Sequence, residues 1–142
     1  MSDTVTIRFG TSAEREALWR EYPSVKNVLR DSGYFLVAVE NDSVVGFLWA
    51  FRREIPAPVE REEIFINIIE VIYTNLRCQG IASAMVKEMI KIAKAETVYQ
   101  VRAYCDIGNL PSHRLWLKNG FSISPVKLPD GSVVGSFVSR VL

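Results

Sequence analysis

Residues Ile68 to Lys94 read IIEVIYTNLRCQGIASAMVKEMIKIAK. An apolar, β-branched run breaks at Tyr73–Leu76 into a short polar turn, Arg77-Cys78-Gln79-Gly80-Ile81-Ala82, which opens directly into an amphipathic helix. In that helix Ile81, Met85, Met89 and Ala93 share the inward face, while Lys87, Glu88, Lys91 and Lys94 point outward. A strand feeding a glycine-containing turn at a helix start aims several backbone N–H groups at one point, where the helix dipole also favours negative charge. The stretch predicts a phosphate or pyrophosphate cradle. The competing reading of Gly80 is an ordinary tight turn.

On the N-terminal side, Val5–Phe9 alternates as a half-buried strand, and Thr11 with Glu14 forms the capping box of a helix carrying Ala13, Ala17 and Leu18 inward. Ser24 is placed to cap a second short helix bearing Val25, Val28 and Leu29 and ending at Gly33. Tyr34–Glu40 and Val44–Phe51, joined by Asn41-Asp42-Ser43, read as a hairpin. Arg52–Glu63, charged and holding Pro56 and Pro58, reads as a loop, and Ile64–Tyr73 as a central strand covered on both faces. On the C-terminal side follow a strand at Val98–Cys105 and a helix capped by Asn109 and ended by Asn119-Gly120. A closing hairpin, Phe121–Leu128 and Val133–Val141, turns at Pro129-Asp130-Gly131. The order β-α-α-β-β-β-α-β-α-β-β predicts an α/β (or α+β) fold, a mixed, central twisted sheet with helices on both faces.

The 142 residues make one domain's worth of chain, 1–142. Apolar residues are 49% and charged residues 23%, a globular balance, and 17 basic against 16 acidic residues leave a net charge of +1. That balance argues against a nucleic-acid binder, and no apolar run approaches a membrane span. The N-terminal MSDTVTIRFG lacks signal-peptide character, so the expected compartment is cytoplasmic. Cys78 and Cys105 show no metal spacing and His113 is alone, so no metal site is expected and both thiols are read as reduced.

Two motifs give the element order a family likeness. Arg77-Cys78-Gln79-Gly80-Ile81-Ala82 resembles the Arg/Gln-x-x-Gly-x-Gly/Ala signature of the GNAT (Gcn5-related N-acetyltransferase) superfamily. Asn109 through Leu115-Trp116-Leu117-Lys118-Asn119-Gly120-Phe121 resembles its downstream Asn and the Leu-aromatic-x-x-x-Gly-Phe helix end. The resemblance spans nearly the whole chain. It implies transfer of an acyl group, usually acetyl, from acetyl-CoA to a primary amine in a ternary complex. The backbones of Arg77, Cys78, Gln79, Gly80, Ile81, Ala82 and Ser83 would grip the pyrophosphate. Ile72, Tyr73 and Thr74, on a bulged strand, would pair with the pantetheine arm and supply an oxyanion N–H, while Asn109 and Ser112 would contact the far pantetheine or the ribose side. The family's frequent general acid, a Tyr in the Leu-Tyr pair, is Trp116 here, and an indole N–H cannot serve as a proton donor in catalysis.

An alkylamine, with a pKa of roughly 10, must lose a proton before it attacks. Glu70, inside the apolar strand, is the candidate base because partial desolvation would raise its pKa; a solvated or Arg-paired strand-edge Glu is the alternative. Tyr73 is the candidate hydroxyl beside it and Tyr104 a second, with amphipathic packing the competing reading of each. The Glu21–Ser24 region, the Arg52–Glu63 loop and the Pro129–Gly131 turn are the expected substrate lips, with Glu60, Glu62 and Glu63 available to a cationic amine. A homodimer through the closing hairpin is a further possibility. An acyl-CoA-binding sensor with little turnover is the alternative function. A Rossmann-type nucleotide module fits less well, since the chain has no Gly-x-Gly-x-x-Gly run.

Overall fold

The computed structural model describes residues 5–73 and 80–142. Along them run β1 (Val5–Phe9), α1 (Ser12–Glu21), a 3-10 turn (Pro23–Val25), β2 (Tyr34–Glu40), β3 (Ser43–Ile55), β4 (Arg61–Val71), α2 (Ile81–Ala95), β5 (Gln100–Asp106), α3 (Leu110–Lys118), β6 (Ser122–Lys127) and β7 (Val133–Val141). The strands make a mixed, mostly antiparallel sheet in the order β1-β2-β3-β4-β5-β7-β6, with β4 and β5 parallel. This is the mixed α/β architecture that the element order predicts. The chain divides into two compact units, one built from the described residues up to Phe51 and from Asn67 to Met89, the other from Arg52–Ile66 and Ile90–Leu142.

In the first unit the Thr11 hydroxyl accepts from Glu14 N–H at 3.1 Å and the Thr11 N–H donates to the Glu14 carboxylate at 2.9 Å, so α1 starts at its capping box. Leu18 is buried, but Ala13 and Ala17 are exposed. The covered face of α1 is instead Leu18 with Trp19 and Tyr22, because only large side chains fill the space above Phe35, Val37, Phe47 and Trp49. The expected second helix shrinks to the 3-10 turn. Its i→i−3 bonds, Val25 N–H to Tyr22 O and Lys26 N–H to Pro23 O, already bring Val25 inward, and so short a helix has little stability of its own. Asn41 (φ 49°) and Asp42 (φ 63°) make the two-residue turn of the β2–β3 hairpin. The opposite face belongs to α2. A Cβ on Gly46 would lie 3.2 Å from Met85 Cε and 3.0 Å from the Glu70 carbonyl, so Gly46 lets helix and strand meet closely. Helices thus cover both faces of the sheet in this unit.

In the second unit the structure corrects the loop expected over Arg52–Glu63. β3 runs on to Ile55 and β4 begins at Arg61. The charges that suggest a loop pair with one another: Arg52 Nε with Glu62 at 3.0 Å, Arg52 Nη1 with Glu96 at 3.1 Å, and Arg53 Nε with Glu63 at 2.6 Å. Parallel pairing of β4 with β5 runs from Glu63↔Gln100 to Ile66↔Ala103, and the strands continue to Val71 and Asp106. Val101, Ala103 and Cys105 are buried on the α3 side of β5. On the other face Arg102 stacks over Phe137, 4.0 Å from its centroid, and Tyr104 meets the same ring edge-on. The closing hairpin forms as expected, its turn held by Gly131 N–H to Leu128 O and by the Asp130 carboxylate accepting from Ser132. Among the described residues no helix is long and apolar enough to cross a membrane.

Candidate functional site

The first unit carries the end of β4 and the start of α2. Gly80 sits at φ +81°, a conformation that favours glycine. The Ala84 N–H donates to Gly80 O at 2.9 Å, so Gly80 stands at the head of α2 and its carbonyl already takes part in the helix. Ile81 and Ser83 have buried side chains, which leaves the main chain as what this turn presents. Thr74, Arg77, Cys78 and Gln79 lie outside the described residues.

Two expectations at the end of β4 change. The Ile72 N–H donates to Val45 O at 2.9 Å, so it is already engaged within the sheet and is not available to a pantetheine arm or an oxyanion. Tyr73 is the remaining described position of that trio. Glu70 is exposed, not partly desolvated, because it alternates along β4 with the buried Val71; burial therefore does not prepare it as a base. Tyr73 is also exposed, at 49%. Tyr22, at the C-terminal cap of α1, has its phenol pushed above the usual value by burial, then by the charges of Glu21 and Tyr73 and a hydrogen bond with Glu21. It keeps its proton at neutral pH. Tyr22 and Ile72 pack against the same core cluster, which brings the Glu21–Ser24 region to the end of β4.

The second unit carries Asn109 and Ser112. Asn109 Oδ1 accepts from Ser112 N–H at 3.2 Å, making the expected helix cap. The Asn109 carbonyl accepts from His113 N–H at 3.1 Å and meets His113 Nδ1 at 2.8 Å. A carbonyl only accepts, so the neutral imidazole carries its proton on Nδ1. The free, buried thiol of Cys105 lies 3.4 Å from the same nitrogen. Trp116 is 2% exposed, packs with Phe121 at 4.9 Å between centroids, and donates its indole N–H to Ser112 Oγ at 3.1 Å. These two side-chain bonds were not read from the sequence; their signal is the four-residue helical spacing of 109 with 113 and of 112 with 116.

Glu62 and Glu63 are not acids waiting for an amine. Glu62 is bonded to Arg52, and Glu63 is 1% exposed, between Arg53 and the Gln100 amide, each at 2.6 Å. A cavity of about 670 Å³ opens beside the Pro56–Glu60 segment, with Glu54, Glu60, Arg61 and Tyr99 on its walls. Arg61 lies over the Tyr99 ring and Arg52 is bonded to Glu62 and Glu96, so its charges are of both signs and partly matched internally. Among the described residues no cluster of three His, Cys, Asp or Glu is placed to hold a metal ion.

The sequence model described as the Acetyltransferase (GNAT) family matches residues 3–121, and the chain belongs to that family of acetyltransferases. Solved structures with the same fold include Arabidopsis thaliana NAA60 in complex with acetyl-CoA, at 16% identity and a TM-score of 0.75, covering 98% of this chain and 99% of that one. The same plant protein in complex with a bisubstrate analogue aligns at 18% identity and a TM-score of 0.76, covering 97% and 98%. A ribosomal-protein-alanine N-acetyltransferase from Brucella melitensis aligns at 22% identity and a TM-score of 0.70, covering 96% and 99%. At these identities the likeness is one of fold. No curated protein sequence matches the chain.

Proposed function

We propose that this chain moves an acetyl group from acetyl-CoA to a primary amine, of a small molecule or a peptide, by direct attack in a ternary complex. The observation that carries the reading is the start of α2, where Gly80 at φ +81° leads directly into the first turn of the helix. A helix N-terminus reached through such a turn suits a pyrophosphate, and the Arg77–Gln79 part of the motif adjoins it in sequence. Tyr73 would offer its backbone and hydroxyl at the strand end, and Asn109 and Ser112 would meet the pantetheine side. Relatives of the same fold have been solved with acetyl-CoA and with a bisubstrate analogue, which supports the choice of co-substrate.

In the reaction the amine nitrogen bonds to the thioester carbonyl carbon and the carbon–sulfur bond breaks. The products are an N-acetyl amide and the coenzyme A thiol, with the ammonium proton passed to a base. Glu70 is the proposed acceptor of that proton; being exposed, it would act on an amine arriving from solvent. A second reading, an acyl-CoA-binding sensor with little turnover, is favoured by Trp116, whose N–H is engaged by Ser112 where the family often has a proton-donating Tyr.

Titration with acetyl-CoA, followed by thiol release over an amine panel, separates the two. Tight binding with turnover on at least one amine is expected. Binding without turnover on any would favour the sensor, and no binding would end both. Gly80→Asp adds a carboxylate at the anion site and strains a left-handed position; CoA affinity should fall at least about ten-fold. Unchanged affinity in a folded variant would remove the cradle. Glu70→Gln should lower the rate with little change in CoA affinity, and an unaltered pH–rate profile would exclude it as the base.

A further inference from the structure

We propose that Trp116 is a positioning residue for the coenzyme contact. Its indole N–H occupies one of the two acceptor positions of the Ser112 hydroxyl and so orients that hydroxyl to donate its own proton toward an amide carbonyl of the pantetheine arm. The proposal deepens the acetyl-CoA reading above and rests on it for the contact at Ser112.

An indole nitrogen is a donor only, so the 3.1 Å bond from Trp116 Nε1 to Ser112 Oγ has one possible direction. Trp116 is 2% exposed and held against Phe121, so neither water nor a rotamer change readily replaces that donor. Ser112 itself is half-buried, and its own proton is left to bond elsewhere. Side chains on a helix lean toward its N-terminus, so position 116 delivers its polar atom over the turn that holds Ser112 and Asn109. A Tyr at 116 would bring a hydroxyl to that turn directly; here the Trp–Ser pair supplies one.

Asn109 follows the same logic. Its Oδ1 accepts from Ser112 N–H at 3.2 Å, which leaves the side-chain NH₂ to donate. His113 Nδ1, at 2.8 Å from the Asn109 carbonyl, holds the main chain of that residue in place. The first turn of α3 thus offers two donors, the Ser112 O–H and the Asn109 NH₂, each on a side chain oriented by a bond that its oxygen accepts from within the fold. The ligand atoms they match are acceptors, and the pantetheine arm carries two amide carbonyls.

Calorimetry with two probes tests this: CoA, and adenosine 3′,5′-bisphosphate, which lacks the pantetheine arm. Ser112→Ala and Trp116→Phe should each weaken CoA binding about two- to ten-fold and leave the bisphosphate unaffected. Ser112→Thr, which keeps the hydroxyl, should bind CoA like the wild type. In the double variant Trp116→Phe should add nothing to Ser112→Ala, because its effect runs through the hydroxyl. With an acceptor amine in hand, Trp116→Phe should raise KM for acetyl-CoA at constant kcat. Additive losses, equal weakening of both probes, or wild-type CoA affinity in a folded Trp116→Phe would each overturn the proposal. A wild-type protein that binds no CoA would instead strike the function proposed above.

Discussion

The Glu14 carboxylate accepts from the Thr11 N–H at 2.9 Å and from both terminal nitrogens of Arg8 at 2.8 Å, and these bonds, Arg8 first, hold its pKa at about 2. A folded-state pKa below the ordinary carboxylate value means stability that is fully present above about pH 4.5 and is lost as the pH falls toward 2. Glu14→Gln keeps a capping side chain but removes the charge. With Glu14 22% exposed and Arg8 44%, the loss at pH 7 should be about 1 kcal/mol at most. Melting curves of the two proteins should differ by a constant amount from pH 6 to 8 and converge below pH 4; a gap undiminished at pH 2.5 would rule out the ion pair as its source. Gly135 presents a steric version of the same single-residue argument. A Cβ there would come 2.7 Å from the Cys105 carbonyl and overlap the Tyr104 hydroxyl, so β7 would have to shift away from β5. Gly135→Ala should cost about 1–3 kcal/mol in urea unfolding, and a neutral result would mean that the strands part without penalty.

Elements whose signal is local are legible in the sequence. Helix α2 declares itself because Ile81, Met85, Met89 and Ala93 recur at helical spacing and are all buried, and α1 because Thr11 and Glu14 form a complete capping box. The boundaries of β3 and β4 are not legible, since Arg52, Arg53, Glu62 and Glu63 look like a solvated run until a partner strand matches them charge for charge. The same long-range pairing misleads at the site. Glu62 and Glu63, two of the three acids read as available to an amine, are held by arginines, and Ile72, read as a donor to the coenzyme, gives its N–H to Val45. What the four-residue helical spacing does encode, Ser112 with Trp116 and Asn109 with His113, is recoverable from the sequence by geometry alone. The pairing at Glu63 has a measurable consequence. Arg53→Met leaves a carboxylate that is 1% exposed with the Gln100 amide at 2.6 Å and Arg102 at 4.0 Å, and should cost about 2–4 kcal/mol. Replacing both partners together, Arg53→Met with Glu63→Leu, should recover part of that loss. A double variant no more stable than Arg53→Met in denaturant melts would show that the carboxylate is not the source.

For the molecule as a whole, the sheet order shows where sequence reading stops: β2–β3 and β6–β7 are hairpins with readable turns, whereas β7 lies between β5 and β6 through pairing that leaves no local period. Family membership reaches further than periodicity here, because its match covers residues 3–121 and so includes Gly80, Asn109 and Ser112. If those residues hold acetyl-CoA, the ligand binds the folded chain and not the unfolded one, and stability must rise with its concentration by mass action. At about one hundred times Kd the gain is about 2.7 kcal/mol, which for a chain of this size raises Tm by roughly 8 °C. The rise should be logarithmic in ligand and should shrink by about half or more in Gly80→Asp, while that variant keeps a cooperative melt of its own. Adenosine 3′,5′-bisphosphate should reproduce part of the shift, and Ser112→Ala should narrow the gap between it and CoA. A Tm independent of acetyl-CoA up to millimolar concentration would contradict the coenzyme reading. A shift equally large in Gly80→Asp would keep the coenzyme and move its phosphates away from the start of α2.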